Sequence, residues 1–527
     1  MKELSPDEVV DIIVSLKETT DETDFNRLLA QLGVLIDYSG DTGNEKALRE
    51  AVGVCEHLVS HNILSEHRSL LFYFCANAWS HLRRLTDTVS GTWEKPSSVE
   101  CENELLNLRR AIREESFSKL SINERCQILT NLGNVFSYVG RFVESIDYWN
   151  MALDLDAGFS MALGNRGYGL THYAGVLYDD GHRNLFMKSA YADLNKALTG
   201  DIHKGARQAF REYRDWIEQV LGADYVKEPI DFGEFSLGDT EEEVRYRDWC
   251  IDHRLFLNPL NDILKESVVS HDCLTTPSIV VALNEGPYYP GFYNQLKQEY
   301  VSARFLFYEG LSAEATHFSD RGVLLYNTLD YPSYSVATEK MKAAFRIAYS
   351  LLDKIAYFLN KYLRLEIPER SVYFRSIWYE DGNKHKGVRE TFTTLKNWPL
   401  VGLFWLSKDL YENRADFKET IEPSAQAMYE VRNHVEHKYL KLHDSMWSGP
   451  MTEDDEVRAG LTDSLAYSMY RTDFEEKTLK IIKITRAALI YLSLAICVEE
   501  KRRESEKSGE GLIANMVLDV WEDEWKC

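Results

Sequence analysis

Apolar residues recur at three- and four-residue intervals along most of the chain, and this helical spacing constrains the fold more than any other feature of the sequence. In the first two hundred or so residues, breaks rich in Gly, Asn or Ser separate the periodic segments 48–60, 70–85 and 102–115. After about residue 292 the pattern returns at 293–311, 337–365 and roughly 396–412, 422–442 and 473–503. Such spacing is typical of amphipathic helices with one buried face, so the sequence predicts an all-α protein.

One pair of segments in the first half repeats. A shift of 34 residues carries Asn131 onto Asn165 and Gly133 onto Gly167. A helix–turn–helix unit of this period, with small residues where helices cross, resembles the tetratricopeptide (TPR) family. The resemblance implies a TPR-like helical-repeat solenoid over 1–224, whose concave groove binds a protein or peptide partner. Amphipathic helices without this function would give a similar pattern, and the sequence does not indicate which face binds.

The overall charge and composition exclude several classes of protein. The chain has 84 acidic and 60 basic residues, for a formal net charge of −24. This charge argues against a basic coat for nucleic acid and against a membrane-surface protein. Because 44% of the residues are apolar and 27% are charged, global disorder is excluded as well.

The use of cysteine and the lack of a targeting segment predict a cytoplasmic protein. The eight cysteines contain no C-x-x-C pair, which is typical of reduced, structural thiols. The N-terminus has no apolar stretch like that of a signal peptide. The longest strongly apolar run, 487–498, is too short to span a bilayer, so we expect a buried helix there and no membrane partner.

Changes in composition indicate where the chain divides. Residues 225–245 are acidic and interrupted by Gly and Pro, while 246–263 have the bulky apolar residues and the Asn-Pro turn of an ordered connector. Within the later helical region, 371–379 has the composition of a short β-hairpin, and loops are expected at about 381–390 and 443–472. The predicted parts are the repeats at 1–224, the boundary and connector at 225–291, a helical bundle at 292–505 and a tail at 506–527.

Segment 427–444 carries the most informative polar pattern. It places Arg432, Asn433 and His437 near the middle of a predicted helix. An arginine followed by a polar residue and, a few positions later, by a histidine resembles the motif of the HEPN superfamily of helical-bundle ribonucleases and nucleotide-binding domains. The helix around Asp353 is similar to the polar-marked helix that precedes the motif in such bundles. Together with the repeats, the pattern is similar to a bacterial branch of TPR-linked HEPN proteins.

The resemblance implies a C-terminal HEPN helical bundle that acts on RNA as a homodimer. Attack of a 2′-hydroxyl on the adjacent phosphate needs no metal, but it needs proton transfer and stabilisation of developing charge. Histidine, with an ordinary pKa of about 6.5, exchanges protons at neutral pH, and arginine binds phosphate oxygens through a planar fork. We therefore predict Arg432, Asn433 and His437 as the catalytic residues, with Asn433 orienting the histidine or a phosphate oxygen. The two proton transfers lie on opposite sides of phosphorus, so two copies of the chain would supply the two histidines.

Two other side chains are accessory candidates. His434 lies three residues before His437 and close to the same helix face, and Asp353 could hold an arginine or histidine of the motif in position. Both residues could equally be ordinary surface side chains.

A basic loop is the candidate for contact with the RNA backbone. Residues 337–450 contain 18 Lys and Arg against 15 Asp and Glu, so this segment tolerates a polyanion better than the rest of the acidic chain. Chance variation in surface charge would also explain the difference. The loop at 381–390 brings together four basic side chains that could contact the RNA backbone. The alternative is a merely solvated loop, because charge clusters usually lie on the surface. They are Lys384, His385, Lys386 and Arg389.

Other chemistries lack their motifs. The sequence contains no Walker-type Gly-rich loop, no HExxH and no G-x-S-x-G. His434 and Glu436 match the first half of a zinc-deaminase signature, but the P-C-x-x-C half is missing. A zinc site formed by His434 and His437 would lack further ligands nearby. We therefore predict neither a metal nor a cofactor.

The sequence thus predicts a metal-independent endoribonuclease, a toxin or anti-phage effector whose repeats sense a trigger or partner. Two alternatives stay open. The chain could be a non-catalytic scaffold whose bundle dimerises or binds nucleotide, or it could be a toxin inhibited by a nucleotidyltransferase antitoxin. Neither the RNA substrate nor the trigger follows from the sequence.

Overall fold

The fold is built almost entirely of α-helices, which confirms the predicted all-α class. The computed structural model describes residues 5–16, 25–60, 62–87, 98–233, 235–282, 284–444, 463, 465–506 and 516–526. Within these ranges there are eighteen α-helices and one two-stranded sheet.

The first eleven helices cover the region of the predicted repeats. They are α1 (Pro6–Ser15), α2 (Phe25–Thr42), α3 (Glu45–Ser60), α4 (Arg68–Asp87), α5 (Val99–Arg113), α6 (Ile122–Tyr138), α7 (Phe142–Leu155), α8 (Ser160–Val176), α9 (Asp180–Ala197), α10 (Lys204–Leu221) and α11 (Ala223–Lys227).

The remaining helices and the sheet cover the connector and the bundle. They are α12 (Glu241–Asp252), α13 (Tyr288–Leu311), α14 (Val336–Tyr362), α15 (Glu390–Thr394), α16 (Trp398–Ser407), α17 (Ala425–His437), α18 (Arg471–Glu506), β1 (Leu440–His443) and β2 (Tyr467–Tyr470).

The two glycines that repeat in the sequence mark close contacts between paired helices. A Cβ atom on Gly133 of α6 would lie 2.6 Å from Nε1 of Trp149 in α7. A Cβ atom on Gly167 of α8 would lie 2.7 Å from Cγ of Leu194 in α9. Each glycine thus lets one helix of a pair approach a large side chain of the next helix, which is the physical basis of the 34-residue offset. Assignment of these pairs to the TPR family stays a prediction.

The repeats and the bundle share a hydrophobic core. A small cluster lies among α1–α4, and a much larger one extends from Phe72 in α4 to Ile496 in α18. The larger cluster passes through the predicted boundary at 225–291, so buried apolar contacts join the two halves there. The limits of the predicted parts remain sequence-based expectations.

The turn between α6 and α7 docks directly on the start of α16. Gly140 in this turn has a φ of +79°, a conformation that residues with a Cβ rarely adopt. A Cβ atom on Gly402 would overlap the carbonyl oxygen of Gly140. Next to this contact, the ring of Phe142 lies 4.6 Å from Trp398 and 4.8 Å from Tyr491, between centroids. The two halves therefore meet with backbone-to-backbone contact as well as aromatic packing.

Two local predictions for the bundle were wrong. Residues 371–379 form hydrogen-bonded turns instead of a hairpin, because Phe374, Ile377 and Trp378 are buried in the core and their aromatic and branched composition serves packing. The helix predicted at 422–442 ends at His437. Residues Leu440–His443 then form β1, which pairs in parallel with β2. All four β1 residues are buried, so tertiary contacts override their helical spacing.

The long C-terminal helix forms the centre of the bundle. By length and composition, α18 is the one described helix that could cross a membrane, and 89% of its most apolar window is buried inside the fold. This burial agrees with the buried helix that we expected at 487–498.

Candidate functional site

The motif lies on the C-terminal half of α17. Met428 and Val431 of this helix are buried, and α17 packs against α14 and the start of β1. Because Met428 and Val431 are three residues apart, they share one face of the helix. The following residues, from Arg432 to His437, lie at the partly exposed end of the helix.

Arg432 and His437 converge on one carboxylate oxygen. Oε2 of Glu436 is 3.2 Å from Nε of Arg432 and 3.5 Å from Nε2 of His437. On a regular helix, Arg432 and His437 point about 140° apart, so the long arginine side chain bridges the difference. The two nitrogen atoms therefore surround a single anion position.

The two motif side chains differ in exposure. The side chain of His437 is 67% exposed, whereas that of Arg432 is 30% exposed. The guanidinium carbon of Arg432 lies 5.7 Å from the centroid of the Tyr349 ring on α14, and its Nε atom makes no hydrogen bond to the described residues. Arg432 is thus held over an aromatic ring and by an ion pair with Glu436, with hydrogen-bonding capacity left over. The imidazole is open to solvent.

The other two polar motif residues have separate structural contacts. Oδ1 of Asn433 accepts a long hydrogen bond of 3.4 Å from Nη1 of Arg432, so Asn433 contacts the arginine and not His437. Nδ1 of His434 lies 2.7 Å from the carbonyl oxygen of Glu430, and its ring stacks on Tyr467 of β2 at 4.8 Å between centroids. The structure therefore places His434 as a link between α17 and the sheet.

Asp353 lies beneath the motif but binds a different group. Its Oδ1 atom accepts a hydrogen bond of 2.9 Å from the backbone N–H of Phe374. Burial raises the pKa of Asp353, and the Phe374 bond and the charge of Arg432 oppose this effect only in part. Asp353 therefore anchors the 371–379 segment next to the motif, and its influence on Arg432 is electrostatic.

Two neighbouring side chains were not found from the sequence. Burial raises the pKa of Glu412, and the positive charge of Arg432 acts in the opposite direction. Burial also raises the pKa of Tyr349, and the charge of Arg432 works against it. Tyr349 lies four residues before Asp353 on α14, a spacing that places both on one helix face and could have indicated it. Glu412 lies in a loop, where no periodicity indicates position.

The four basic residues predicted to contact RNA all have partners in the described structure. Nε2 of His385 is 2.9 Å from Asp416, and Nζ of Lys386 is 2.7 Å from Asp381. Nζ of Lys384 lies 3.8 Å from Glu419. Arg389 donates to the carbonyl oxygen of Ile377 at 3.0 Å and lies 3.4 Å from Glu380. The acidic partners neutralise the positive charge that the sequence shows at 381–390, and RNA contact by this loop stays a prediction.

The start of α17 is tied to the repeats by a buried ion network. The side chain of Asp409 is 2% exposed. Its carboxylate accepts hydrogen bonds from both terminal nitrogens of Arg109, at 2.6 and 2.8 Å, and from Nη1 of Arg141 at 2.7 Å. Burial alone would raise the pKa of Asp409, but the charges of the two arginines hold it below its usual range. Because Arg109 lies on α5 and Arg141 precedes α7, both cations come from the repeats.

Glu422 forms the second centre of this network. Its carboxylate contacts Arg113 of α5, and it lies 3.0 Å from Lys480 of α18. It also accepts a hydrogen bond of 3.0 Å from the backbone N–H of Ser424, the residue before α17. Burial would raise the pKa of Glu422, but the charges of Arg109, Lys480 and Arg113 lower it strongly. The repeats therefore hold the residues immediately before the motif helix.

The described residues contain no group of three or more His, Cys, Asp or Glu that could hold a metal ion. We therefore name no candidate metal ligands.

Comparison with known families places the candidate site in a recognised domain. Residues 280–499 match the family model described as LA2681-like HEPN. This range begins before α13, ends within α18 and includes Asp353 and the motif on α17. The C-terminal bundle is accordingly a HEPN domain, as the motif suggested. No curated protein and no solved structure gives a significant match to the chain.

Proposed function

We propose that the chain is a metal-independent endoribonuclease whose active centre is the Arg432 and His437 pair on α17. HEPN domains are associated with nuclease or nucleotide-binding roles. The single observation that carries the proposal is the position of both nitrogen atoms within 3.5 Å of the same carboxylate oxygen. A phosphate oxygen in that position would have a guanidinium and an imidazole as neighbours.

In the proposed reaction, the 2′-hydroxyl of one nucleotide attacks the adjacent phosphate and the bond to the 5′-oxygen breaks. Arg432 binds non-bridging oxygens and stabilises the charge that develops on phosphorus. His437 accepts the proton of the nucleophile or gives a proton to the leaving oxygen. Asn433 holds the guanidinium through its contact with Arg432. Because both transfers are needed, the imidazole of a second copy would complete the reaction.

Glu436 occupies the anion position in the absence of RNA. Its carboxylate carries the same sign of charge as a phosphate, and it is linked to Arg432 at the i,i+4 spacing of a helix. Helical pairs at this spacing are worth only about 0.2–0.5 kcal/mol. A substrate phosphate therefore has a weak competitor for Arg432, and Glu436 can turn toward solvent when RNA binds.

The cellular role that we propose is that of a cytoplasmic toxin or anti-phage effector. The repeats would bind a trigger, a protein or peptide partner or an antitoxin, and transmit its presence through the contacts that hold the start of α17. Lys384, His385, Lys386 and Arg389 would contact the RNA backbone after their acidic partners are displaced.

The direct test is RNA cleavage by the purified full-length chain in the presence of a metal chelator. We expect His437→Ala and Arg432→Ala each to lower the cleavage rate at least about 10²-fold, the usual loss when a general acid–base group is removed. His203→Ala, at an exposed position of the repeats, is the matched control and should retain full activity. Cleavage by both motif variants at the wild-type rate would contradict the proposal.

A second candidate function is a scaffold whose bundle dimerises or binds nucleotide without cleaving RNA. The ion pair between Arg432 and Glu436 favours it, because a paired arginine can serve a structural role. Calorimetry with a nucleoside triphosphate would separate the two functions. Nucleotide binding that is lost in Arg432→Ala, together with absence of RNA cleavage by the wild-type chain, would support the scaffold.

A further inference from the structure

Two tyrosines lie beside the end of the motif helix, and neither takes part in the proposed reaction. Tyr439 lies two residues after His437, so their Cα atoms are at most about 7 Å apart. The hydroxyl of Tyr439 is 2.9 Å from that of Tyr334. We call Tyr334 and Tyr439 the tyrosine pair. It places aromatic surface next to the exposed imidazole of the motif.

Both members of the tyrosine pair are open to solvent. Tyr334 is 42% exposed and Tyr439 is 37% exposed. Exposed aromatic residues are common on protein surfaces, so exposure alone indicates no role. What distinguishes this pair is that the surrounding contacts hold both tyrosines in place.

The ring of Tyr439 lies on a buried cation. Nζ of Lys441 is 5.4 Å from the centroid of this ring, and the Lys441 side chain is 2% exposed. Asp330 and Asp463 fix this ammonium group, at 2.6 and 2.8 Å. Because the cation is buried, the exposed part of the ring lies on the side away from Lys441. A ring that is already fixed loses little conformational freedom when a flat ligand stacks on it.

The backbone next to each tyrosine is attached to the sheet. The carbonyl oxygen of Tyr439 accepts a hydrogen bond of 2.9 Å from the N–H of Tyr467, the first residue of β2. The N–H of Ser333, the residue before Tyr334, donates to the carbonyl oxygen of Leu442 in β1 at 2.7 Å. The sheet therefore keeps both tyrosines at the end of α17.

The residue between the motif and the ring adds a positive charge. Lys438 is exposed, as are its neighbours His437 and Tyr439. Three successive residues thus present an imidazole, an ammonium group and a phenol ring. Proteins bind single-stranded nucleic acid with such combinations, in which cations contact the phosphates and aromatic rings stack on the bases.

The charge behind the ring favours a neutral ligand there. Asp330 and Asp463 carry two negative charges against the one positive charge of Lys441, which leaves a formal charge of −1. A phosphate above the ring would be repelled by this charge, whereas a nucleobase is neutral. The surface therefore divides into a cationic part at Arg432 and His437 and an aromatic part at the tyrosine pair.

We infer that the tyrosine pair binds the nucleobase next to the scissile phosphate of a single-stranded RNA, which stacks on the exposed ring of Tyr439. This inference rests on the proposed function, because that function places the phosphate at Arg432 and His437. Tyr334 is a positioning residue, since its hydroxyl holds that of Tyr439. Stacking requires an unpaired base, so the site selects single strands over duplexes. Every base has a flat face, so the site discriminates little among the four bases.

Fluorescence anisotropy with the full-length chain and a labelled single strand of 2′-O-methyl RNA tests the inference. This strand lacks the attacking hydroxyl, so binding is measured without cleavage. We expect Tyr439→Ala to raise the Kd at least about fivefold, the lower end of the effect of removing one stacking ring. Tyr439→Phe keeps the ring and should change the Kd by less than about twofold.

The controls separate stacking from loss of structure. Tyr225→Ala, at a tyrosine of the repeats that is 40% exposed, should leave the Kd unchanged. The same strand annealed to its complement has no unpaired base, so Tyr439→Ala should bind this duplex as tightly as the wild-type chain does. The Tm of Tyr439→Ala should match that of the wild type. Tyr334→Ala keeps the stacking ring and removes its positioning bond, so it should weaken single-strand binding less than Tyr439→Ala.

Four results would overturn the inference. They are no binding of the single strand by the wild type, an unchanged Kd in Tyr439→Ala, an equal loss of affinity for single strand and duplex, and a Tyr439→Phe variant as weak as Tyr439→Ala. A selective loss for the single strand, in a chain that does not cleave unmodified RNA, would support the base site and contradict the nuclease proposal. Cleavage of unmodified RNA by the wild type, with an unchanged Kd in Tyr439→Ala, would do the reverse.

Discussion

Two clusters of charge lie at opposite ends of α17, and they are built in opposite ways. At the start of the helix, Asp409 and Glu422 are buried and bound by cations from the repeats and from α18. At the end of the helix, Arg432 and His437 share a single carboxylate, and the imidazole is mostly exposed. The first cluster has nearly all its charges paired, whereas the second leaves an imidazole mostly exposed and a guanidinium partly exposed.

This difference separates a structural role from the catalytic role that we propose. A buried charge requires partners, because desolvation costs several kcal/mol per ion. A side chain that is exposed to solvent can contact an anion from solution. The same helix is therefore held in place by buried ion pairs at one end and partly exposed at the other, and each end can be tested separately.

Asp409→Asn should have the largest effect, and it acts on the stability of the fold. The substitution leaves Arg109 and Arg141 buried without their common carboxylate, and breaking a buried ion pair typically costs about 3–5 kcal/mol. Denaturant unfolding followed by circular dichroism measures the loss. Asp416→Asn, which removes the partner of the exposed His385, should cost less than about 1 kcal/mol. Equal losses for the two variants would contradict the distinction between the clusters.

Glu422→Gln should have an intermediate effect that depends on pH. The folded pKa of Glu422 lies below the unfolded value of about 4.3, so its ionised form stabilises the fold at neutral pH. This contribution is lost as the pH falls below that value. We expect the variant to lose roughly 2 kcal/mol at pH 7, the scale of hydrogen bonds to a charged group, and to show a flatter decline between about pH 5 and pH 3 than the wild type.

The control for this pH dependence is Glu419→Gln, since the carboxylate of Glu419 is 92% exposed. Its stability should follow the wild-type profile at every pH. If Glu422→Gln declined as steeply in acid as the wild type, the network around the start of α17 would not depend on that carboxylate.

Glu436→Gln should have the smallest effect, and it acts on RNA binding. Removal of one negative charge at about 4 Å from a bound phosphate is worth roughly 1 kcal/mol in water, so we expect about fivefold tighter binding. Fluorescence anisotropy with a labelled RNA oligonucleotide measures it, in a His437→Ala background that prevents cleavage. Glu430→Gln on the same helix is the control. Weaker binding after Glu436→Gln would show that this carboxylate helps to hold the substrate.

The local spacing of residues in the sequence was sufficient to predict most helices and to identify the candidate motif. The spacing of apolar residues indicated α13, α14 and α18, because these helices each bury one or more faces along many turns. The family match at 280–499 supports the bundle that was inferred from Arg432, Asn433 and His437. Their roles stay predictions until activity is measured.

The contacts around the motif could not be predicted in the same way. The hydrogen-bond partner of Asp353 is a backbone group in a segment that looked like a hairpin. The cations of the 381–390 loop looked available for RNA, but Asp416 and Glu419, which pair with two of them, lie in another loop. Ion pairs between two loops depend on how the tertiary structure brings the loops together, and the local spacing of residues does not predict them.

The sequence by itself determined that this protein is helical, that its C-terminal part resembles HEPN domains and that Arg432 and His437 lie close together in one predicted helix. These properties depend on neighbours within a few residues, whose geometry the α-helix imposes. Only the tertiary structure decided that Arg109 meets Asp409, 300 residues away, and that the ring of His434 stacks on Tyr467. Such contacts form when folding brings together buried charges and apolar surfaces from residues that are far apart in the sequence. No periodic pattern in the sequence indicates them.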